Sequence, residues 1–151
     1  GPNEYHKGHM ASVLAKVFKG AKDGKPVKLF KSHRDGIGDG EQRRDFIYVD
    51  DAVAALRWLL DTSSANGIFN IGTGQAESFR DMIGAMFKAL GQPPNIDYIE
   101  MPDAIRGQYQ YFTQSSVENL RRAGYNAGFT PLESAVGQYV TGYLDRADRY
   151  R

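Results

Sequence analysis

Short runs of strand character alternate with amphipathic helical periods along this chain, and that alternation restricts its fold more than any other feature. The runs are "VKLF" at 27–30, "DFIYV" at 45–49, "IFNI" at 68–71 and "IDYIEM" at 96–101. Each is too short for a helix and rich in β-branched or aromatic residues. Around them lie five segments with helical spacing of apolar residues. The first places Met10, Val13, Leu14, Val17, Phe18 and Ala21 on one face. The second uses Val49, Ala52, Val53, Leu56 and Leu60, with Asp50 as the expected N-cap. The third uses Phe79, Met82, Ile83, Met86, Phe87 and Leu90, and opens on a Ser78/Asp81 capping box. A short fourth follows Ser115, with Glu118 three residues on. The fifth has Thr130 at the N-cap, Pro131 at the first helical position and Glu133 completing the box. Its apolar face is Leu132, Ala135, Val136, Tyr139, Val140 and Tyr143. Strands and helices of these lengths in alternation predict an α/β protein with some parallel pairing.

Composition narrows the function classes. Of 151 residues, 41% are hydrophobic and 25% charged, as in an ordinary globular protein. The net charge of +1 gives no reason to expect a nucleic-acid or membrane partner. The chain has no cysteine, which excludes disulfides and thiolate metal sites and fits a reducing compartment. No apolar run approaches the roughly 20 residues of a transmembrane helix. One stretch breaks the alternation, "KSHRDGIGDGEQRR" at 31–44. A polar loop of this length inside a compact domain is expected to be functional or disordered.

Four places hold residues suited to chemistry. Arg43 and Arg44 end the polar loop directly before a strand-like run. A guanidinium there either clamps a phosphate through two parallel hydrogen bonds or pairs with Asp45 or Asp50. Lys31, Ser32, His33 and Arg34 are donors for an anionic ligand, partly cancelled by Asp35, Asp39 and Glu41. "NIGTGQAESF" carries Gly72-x-Gly74 after a strand-like run, but Glu77 stands where the dinucleotide fingerprint needs its third glycine. A tight turn is the expected role. Finally, Lys7 sits between His6 and His9 in a glycine-bordered turn. A lysine amine tuned by burial or a neighbouring cation can exchange protons near neutral pH. No Ser-His-Asp arrangement stands out, and no metal site is expected.

Taken in order, "GPNEYHKGHMASV", "RRDFIYVDDAVAAL", "GIFNIGTGQAESF" and "RGQYQYFTQSSVENLRRAGY" resemble the extended short-chain dehydrogenase/reductase family of nucleotide-sugar epimerases. The "HKG", "AESF", "GQYQ" and "FTQ" elements resemble its ADP-heptose 6-epimerase branch. The match runs over essentially the whole chain. It implies the carboxy-terminal, substrate-binding part of a Rossmann-type fold, with the amino-terminal cofactor-binding part absent. That part would carry the Gly-x-x-Gly-x-x-Gly turn and the Tyr-x-x-x-Lys pair, neither of which is present here. The chain alone is then expected to bind little cofactor and to be inactive.

The resemblance also assigns roles. NADP would oxidise the substrate carbon to a ketone and return the same hydride to its other face, in lipopolysaccharide inner-core heptose synthesis. Lys7 would be one of two acid/base groups and a cofactor contact. His9, Lys16, Phe30, Lys31, Ser32 and His33 would line the ADP-sugar, Arg44 would clamp the diphosphate, and Tyr109 would reach the phosphates from the far side. Residues at about 45–75 would pack on the missing Rossmann sheet, leaving apolar surface around Leu56, Trp58 and Leu60 uncovered in isolation. A cytoplasmic homo-oligomer is implied. The alternatives are another nucleotide-sugar epimerase or dehydratase, acting on UDP-, GDP- or dTDP-sugars, and a non-catalytic nucleotide-sugar binding module.

Overall fold

The computed structural model describes residues 1–147. Two strands form its parallel pair: β1 (Val27–Phe30) and β4 (Ile96–Ile99), in the register Val27↔Ile96 to Phe30↔Ile99. Parallel strands need a long crossover. Here the crossover holds β2 (Arg43–Arg44), α2 (Val49–Asp61), β3 (Glu77–Ser78) and α3 (Phe79–Ala89), with β2 and β3 pairing antiparallel. A 3₁₀ segment (Tyr5–Met10) and α1 (Val13–Lys22) precede β1. Two short helices, α4 (Asp103–Arg106) and α5 (Glu118–Arg122), follow β4, and α6 (Leu132–Tyr139) runs into a π turn (Val140–Leu144).

The helices start where local chemistry caps them. Ser12 accepts from the Ala15 amide at the head of α1. At α3, Ser78 and Asp81 close a reciprocal capping box. At α6 the expected cap gives way to a tertiary contact. Pro131 takes the N-cap position, while the Thr130 amide and hydroxyl donate to Asp51 at 2.7 and 2.9 Å, tying α6 to the first turn of α2. Asp50 lies inside the first turn of α2, and Tyr48 is the N-cap.

α3 is the centre of the main core. Met82, Ile83, Met86 and Phe87 are buried there against Leu14, Phe18 and Ala21 of α1, Val27 and Leu29 of β1, and Val136, Tyr139, Val140 and Leu144 of the carboxy-terminal helix. Each such side chain contributes roughly 1.5–3 kcal/mol when fully buried. A smaller cluster joins α2 and α5 through Ala55, Leu120 and Tyr125, with the Trp58 ring 5.4 Å from Tyr125.

Two strand expectations fail. Residues 45–48 and 68–71 lie outside any strand. Strand residues are fixed by a neighbour's ladder, and among the described residues no strand pairs with these two segments. The face of α2 is open as expected, with Val53 at 56%, Leu56 at 52% and Leu60 at 86% exposed, and Ile68 nearby in sequence at 89%. Trp58 departs from that expectation because it packs on Tyr125.

Candidate functional site

The carboxyl ends of β1 and β4 point the same way, the edge at which open α/β sheets gather ligands. Continuing past β1, the Lys31 amide bonds the Ile99 carbonyl, which brings Lys31 beside Glu100. Glu100 receives the Lys31 ammonium at 2.9 Å and His33 Nε2 at 3.2 Å. The hydrogen bond from Lys31, helped by the Coulomb attraction of Lys31, His33 and Arg106, outweighs the upward push of burial and holds the Glu100 carboxyl below its ordinary range. The 31–44 loop is ordered around Gln42, which is 1% exposed and donates to the Phe30 and Lys31 carbonyls. The Ser32 amide donates to Asp39 at 2.7 Å, and the His33 amide donates to the Tyr111 hydroxyl at 3.1 Å.

Arg44 sits next to this edge, held by the β2–β3 pairing. Its guanidinium lies 5.3 Å from the Tyr109 ring centre and 5.9 Å from that of Phe79. Among the described residues its guanidinium makes one hydrogen bond, from Nη1 to the Arg43 carbonyl. Asp45 is saturated elsewhere, so the pairing of Arg44 with Asp45 does not form. Tyr109 meets Phe30 edge-on at 5.9 Å and Tyr111 at 5.7 Å. Burial pushes the Tyr109 phenol up, against the pull of the Arg44 charge. Arg44, Ile105, Gln108, Tyr109 and Gln110 line an open hollow of about 310 Å³. On the other side of Tyr109, a hollow of about 170 Å³ is bounded by Phe30, Gln42, Phe79 and Val13 at the head of α1.

The structure therefore gathers Phe30, Arg44 and Tyr109, with Lys31, Ser32 and His33 on the adjoining loop. Lys7, His9 and Lys16 form a separate group before and on α1, where Lys16 Nζ donates to the His9 carbonyl at 3.0 Å. Lys7 is exposed and is not part of the wall of the Arg44–Tyr109 hollow. Sequence reasoning missed Gln42, Glu100 and Tyr111. Glu100 carried one signal, since it lies near the carboxyl end of the strand-like run at 96–101. Among the described residues no group of His, Asp or Glu side chains is placed to hold a metal ion, and no helix is long and apolar enough to cross a membrane.

The Gly72-x-Gly74 turn is closed. One Asp45 oxygen accepts from the Thr73 amide at 2.8 Å, and the other accepts from the Gly74 amide at 2.9 Å and the Ser115 amide at 3.0 Å. Burial raises the Asp45 carboxyl, but these donors together with the Thr73 hydroxyl outweigh it and hold the group below its usual range. A Cβ at Gly72 would stand 2.4 Å from Ser115 Cβ. The amides that would cradle a pyrophosphate already serve a carboxylate, so this turn does not fit a dinucleotide.

The NAD dependent epimerase/dehydratase family model matches residues 1–72. ADP-L-glycero-D-manno-heptose-6-epimerase of Nitratidesulfovibrio vulgaris (strain DP4) is 45% identical over 150 residues, covering 99% of this chain and 46% of that protein. The Fusobacterium nucleatum protein of the same name is 44% identical over 156 residues, covering 99% and 47%. The chain is homologous to the ADP-heptose epimerases. It spans about half the length of these curated relatives. The fold agrees with that homology. The Helicobacter pylori ADP-L-glycero-D-manno-heptose-6-epimerase superposes with a TM-score of 0.74 at 29% identity, over 94% of this chain and 40% of that one. A UDP-N-acetylglucosamine 4-epimerase from Methanobrevibacter ruminantium gives 0.74 at 18% identity, over 93% and 42%, and shares the fold.

Proposed function

We propose that this chain is the carboxy-terminal, nucleotide-sugar-binding half of an ADP-heptose 6-epimerase, which inverts the carbon bearing the 6-hydroxyl in ADP-D-glycero-D-manno-heptose for lipopolysaccharide inner-core synthesis. The observation that carries this reading is the state of Arg44. It lies near two aromatic rings, with no carboxylate bonded to it among the described residues, on a hollow at the ligand-gathering edge of a parallel strand pair. A planar guanidinium held this way is suited to grip a diphosphate through paired hydrogen bonds. Tyr109 offers a hydroxyl to the phosphates and Phe30 an apolar wall. Lys31, Ser32 and His33 supply donors to the sugar nucleotide.

Lys7 is the acid/base group of this half. It takes or gives the proton of the 6-hydroxyl oxygen on one face, a second acid/base group outside this chain serves the other, and His9 and Lys16 contact the substrate from the start of α1. NADP is held by a part of the protein outside this chain, in keeping with the closed Gly72-x-Gly74 turn. The open face of α2 and residues 68–71 pack against that part, which leaves this chain inactive by itself. The complete enzyme is a cytoplasmic homo-oligomer.

Calorimetric titration tests the binding claim. ADP-heptose is expected to bind, and Arg44→Met is expected to weaken it at least about tenfold, equivalent to about 1.4 kcal/mol. Equal affinity in the parent and Arg44→Met proteins refutes the clamp. Tighter binding of UDP- or dTDP-sugars moves the assignment to another epimerase or dehydratase of the superfamily.

A further inference from the structure

A buried carboxylate lies at the start of the Lys7 turn. Glu4 is only 5% exposed. Its Oε2 accepts from the Ser12 amide at 2.6 Å, and its Oε1 accepts from the Ser12 hydroxyl at 2.8 Å and the Tyr139 hydroxyl at 2.9 Å. Burial alone would push this carboxyl up. The Ser12 and Tyr139 donors work against it and favour the ionised form. A carboxylate this deep persists only with such a set of donors.

The partners come from distant parts of the fold. Ser12 caps α1, and Tyr139 is the last residue of α6. From Glu4 the backbone leads straight to Lys7, whose amide donates to the Glu4 carbonyl at 2.9 Å. The 3₁₀ segment bearing Lys7 has no buried residue of its own. It turns back at Gly8, at φ 51° and ψ −122°, a conformation closed to residues with a side chain. The turn is held along its length by the Lys16 bond to the His9 carbonyl and at its two ends by backbone and side-chain contacts. Glu4 is one end, and it grips Ser12 at the other.

We propose that Glu4 is the positioning residue for Lys7: its carboxylate, bound to Ser12 and Tyr139, fixes where the exposed turn holds the Lys7 side chain. This rests on the reading of Lys7 as the acid/base group. Glu4 touches no substrate and acts only through the turn.

Two measurements test it. The first is amide hydrogen exchange on Glu4→Gln, which keeps the shape of the side chain and removes its charge. The Lys7 and Ala11 amides are expected to exchange at least about tenfold faster, with the α3 amides unchanged. Unchanged exchange at Lys7 and Ala11 overturns the proposal whatever the activity. If Glu4→Gln does not fold, Tyr139→Phe removes one donor and keeps the ring, and the same amides are expected to loosen to a smaller degree.

The second is a double-mutant cycle in the complete enzyme. Glu4→Gln is expected to lower kcat by about tenfold to a hundredfold, the range for a displaced catalytic group, with KM within about threefold. In a Lys7→Met background the same change is expected to cost nothing further. An equal loss in both backgrounds makes Glu4 merely structural and refutes the proposal. If Lys7→Met turns over at the parent rate, the acid/base reading fails instead, and the exchange measurement still decides whether Glu4 anchors the turn.

Discussion

Replacing Asp45 with Asn isolates the clamp that joins three separate segments. One carboxylate oxygen serves the Thr73 amide and hydroxyl, and the other serves the Gly74 and Ser115 amides. An asparagine has one oxygen. In either orientation its NH₂ faces a backbone donor, so at least one amide loses its acceptor and the remaining bonds lose charge assistance. Hydrogen bonds to charged groups contribute about 1.5–3 kcal/mol each. Two weakened bonds, discounted for partial solvation of the site and for relief of the carboxylate's own desolvation, give a loss of about 3 kcal/mol. For a chain of this length that lowers Tm by about 6–12 °C. The pH dependence supplies an internal control. The folded-state value of Asp45 is depressed, so its contribution is fully present above the unfolded value of about 3.9 and is lost as pH falls through the folded value. Urea unfolding at pH 7 should show the full gap between parent and variant, and the gap should shrink steadily below pH 4. A difference under about 1 kcal/mol at pH 7, or one of the same size at pH 7 and in acid, would refute the claim that the charge holds the turn.

Three further outcomes follow from the same coordinates. Gly72→Ala places a methyl 2.4 Å from Ser115 Cβ and should destabilise the chain by about 1–3 kcal/mol, read by thermal unfolding. Leu60→Lys, at a residue 86% exposed, should change the unfolding midpoint of this chain by less than about 0.5 kcal/mol, reduce its self-association in sedimentation, and weaken its assembly with a cofactor-binding half. Glu100→Gln frees Lys31 and His33 from their shared carboxylate, so ADP affinity should rise, and rise more at low salt, by calorimetry.

The helices were legible because their signals are local. Ser78 and Asp81 are three residues apart, and their capping box forms as the spacing implies. The period of 10–21 places Leu14, Phe18 and Ala21 in the core, although Met10, on the same face by spacing, lies in the exposed 3₁₀ segment instead. "DFIYV" and "IFNI" misled because a strand is completed only by its neighbour. The ladder that did form, Arg43–Arg44 against Glu77–Ser78, is too short to leave a period. In the candidate site, Phe30, Arg44 and Tyr109 were reached through family resemblance, and the structure brings them into ring contact. Glu4 and Tyr139 stand 135 residues apart, Lys31 and Glu100 stand 69 apart, and nothing local announces either pair. Thr130 shows the reverse case: its local signal for a cap is real, but Asp51 of another helix claims both of its donors.

The β1–β4 pair has a consequence for handling the protein. Among the described residues it is a sheet of two strands, so each strand has one rim without a ladder partner, although on β1 the Phe30 carbonyl is taken by the Gly40 amide and Gln42. Such rims recruit strands from other molecules, and charge is the usual deterrent. Lys28 and Asp97 stand opposite each other in mid-register, both exposed. An incoming strand must bury or displace that charge pair, so these two side chains guard a rim that four-residue strands of mostly apolar composition would otherwise leave open to fibril growth.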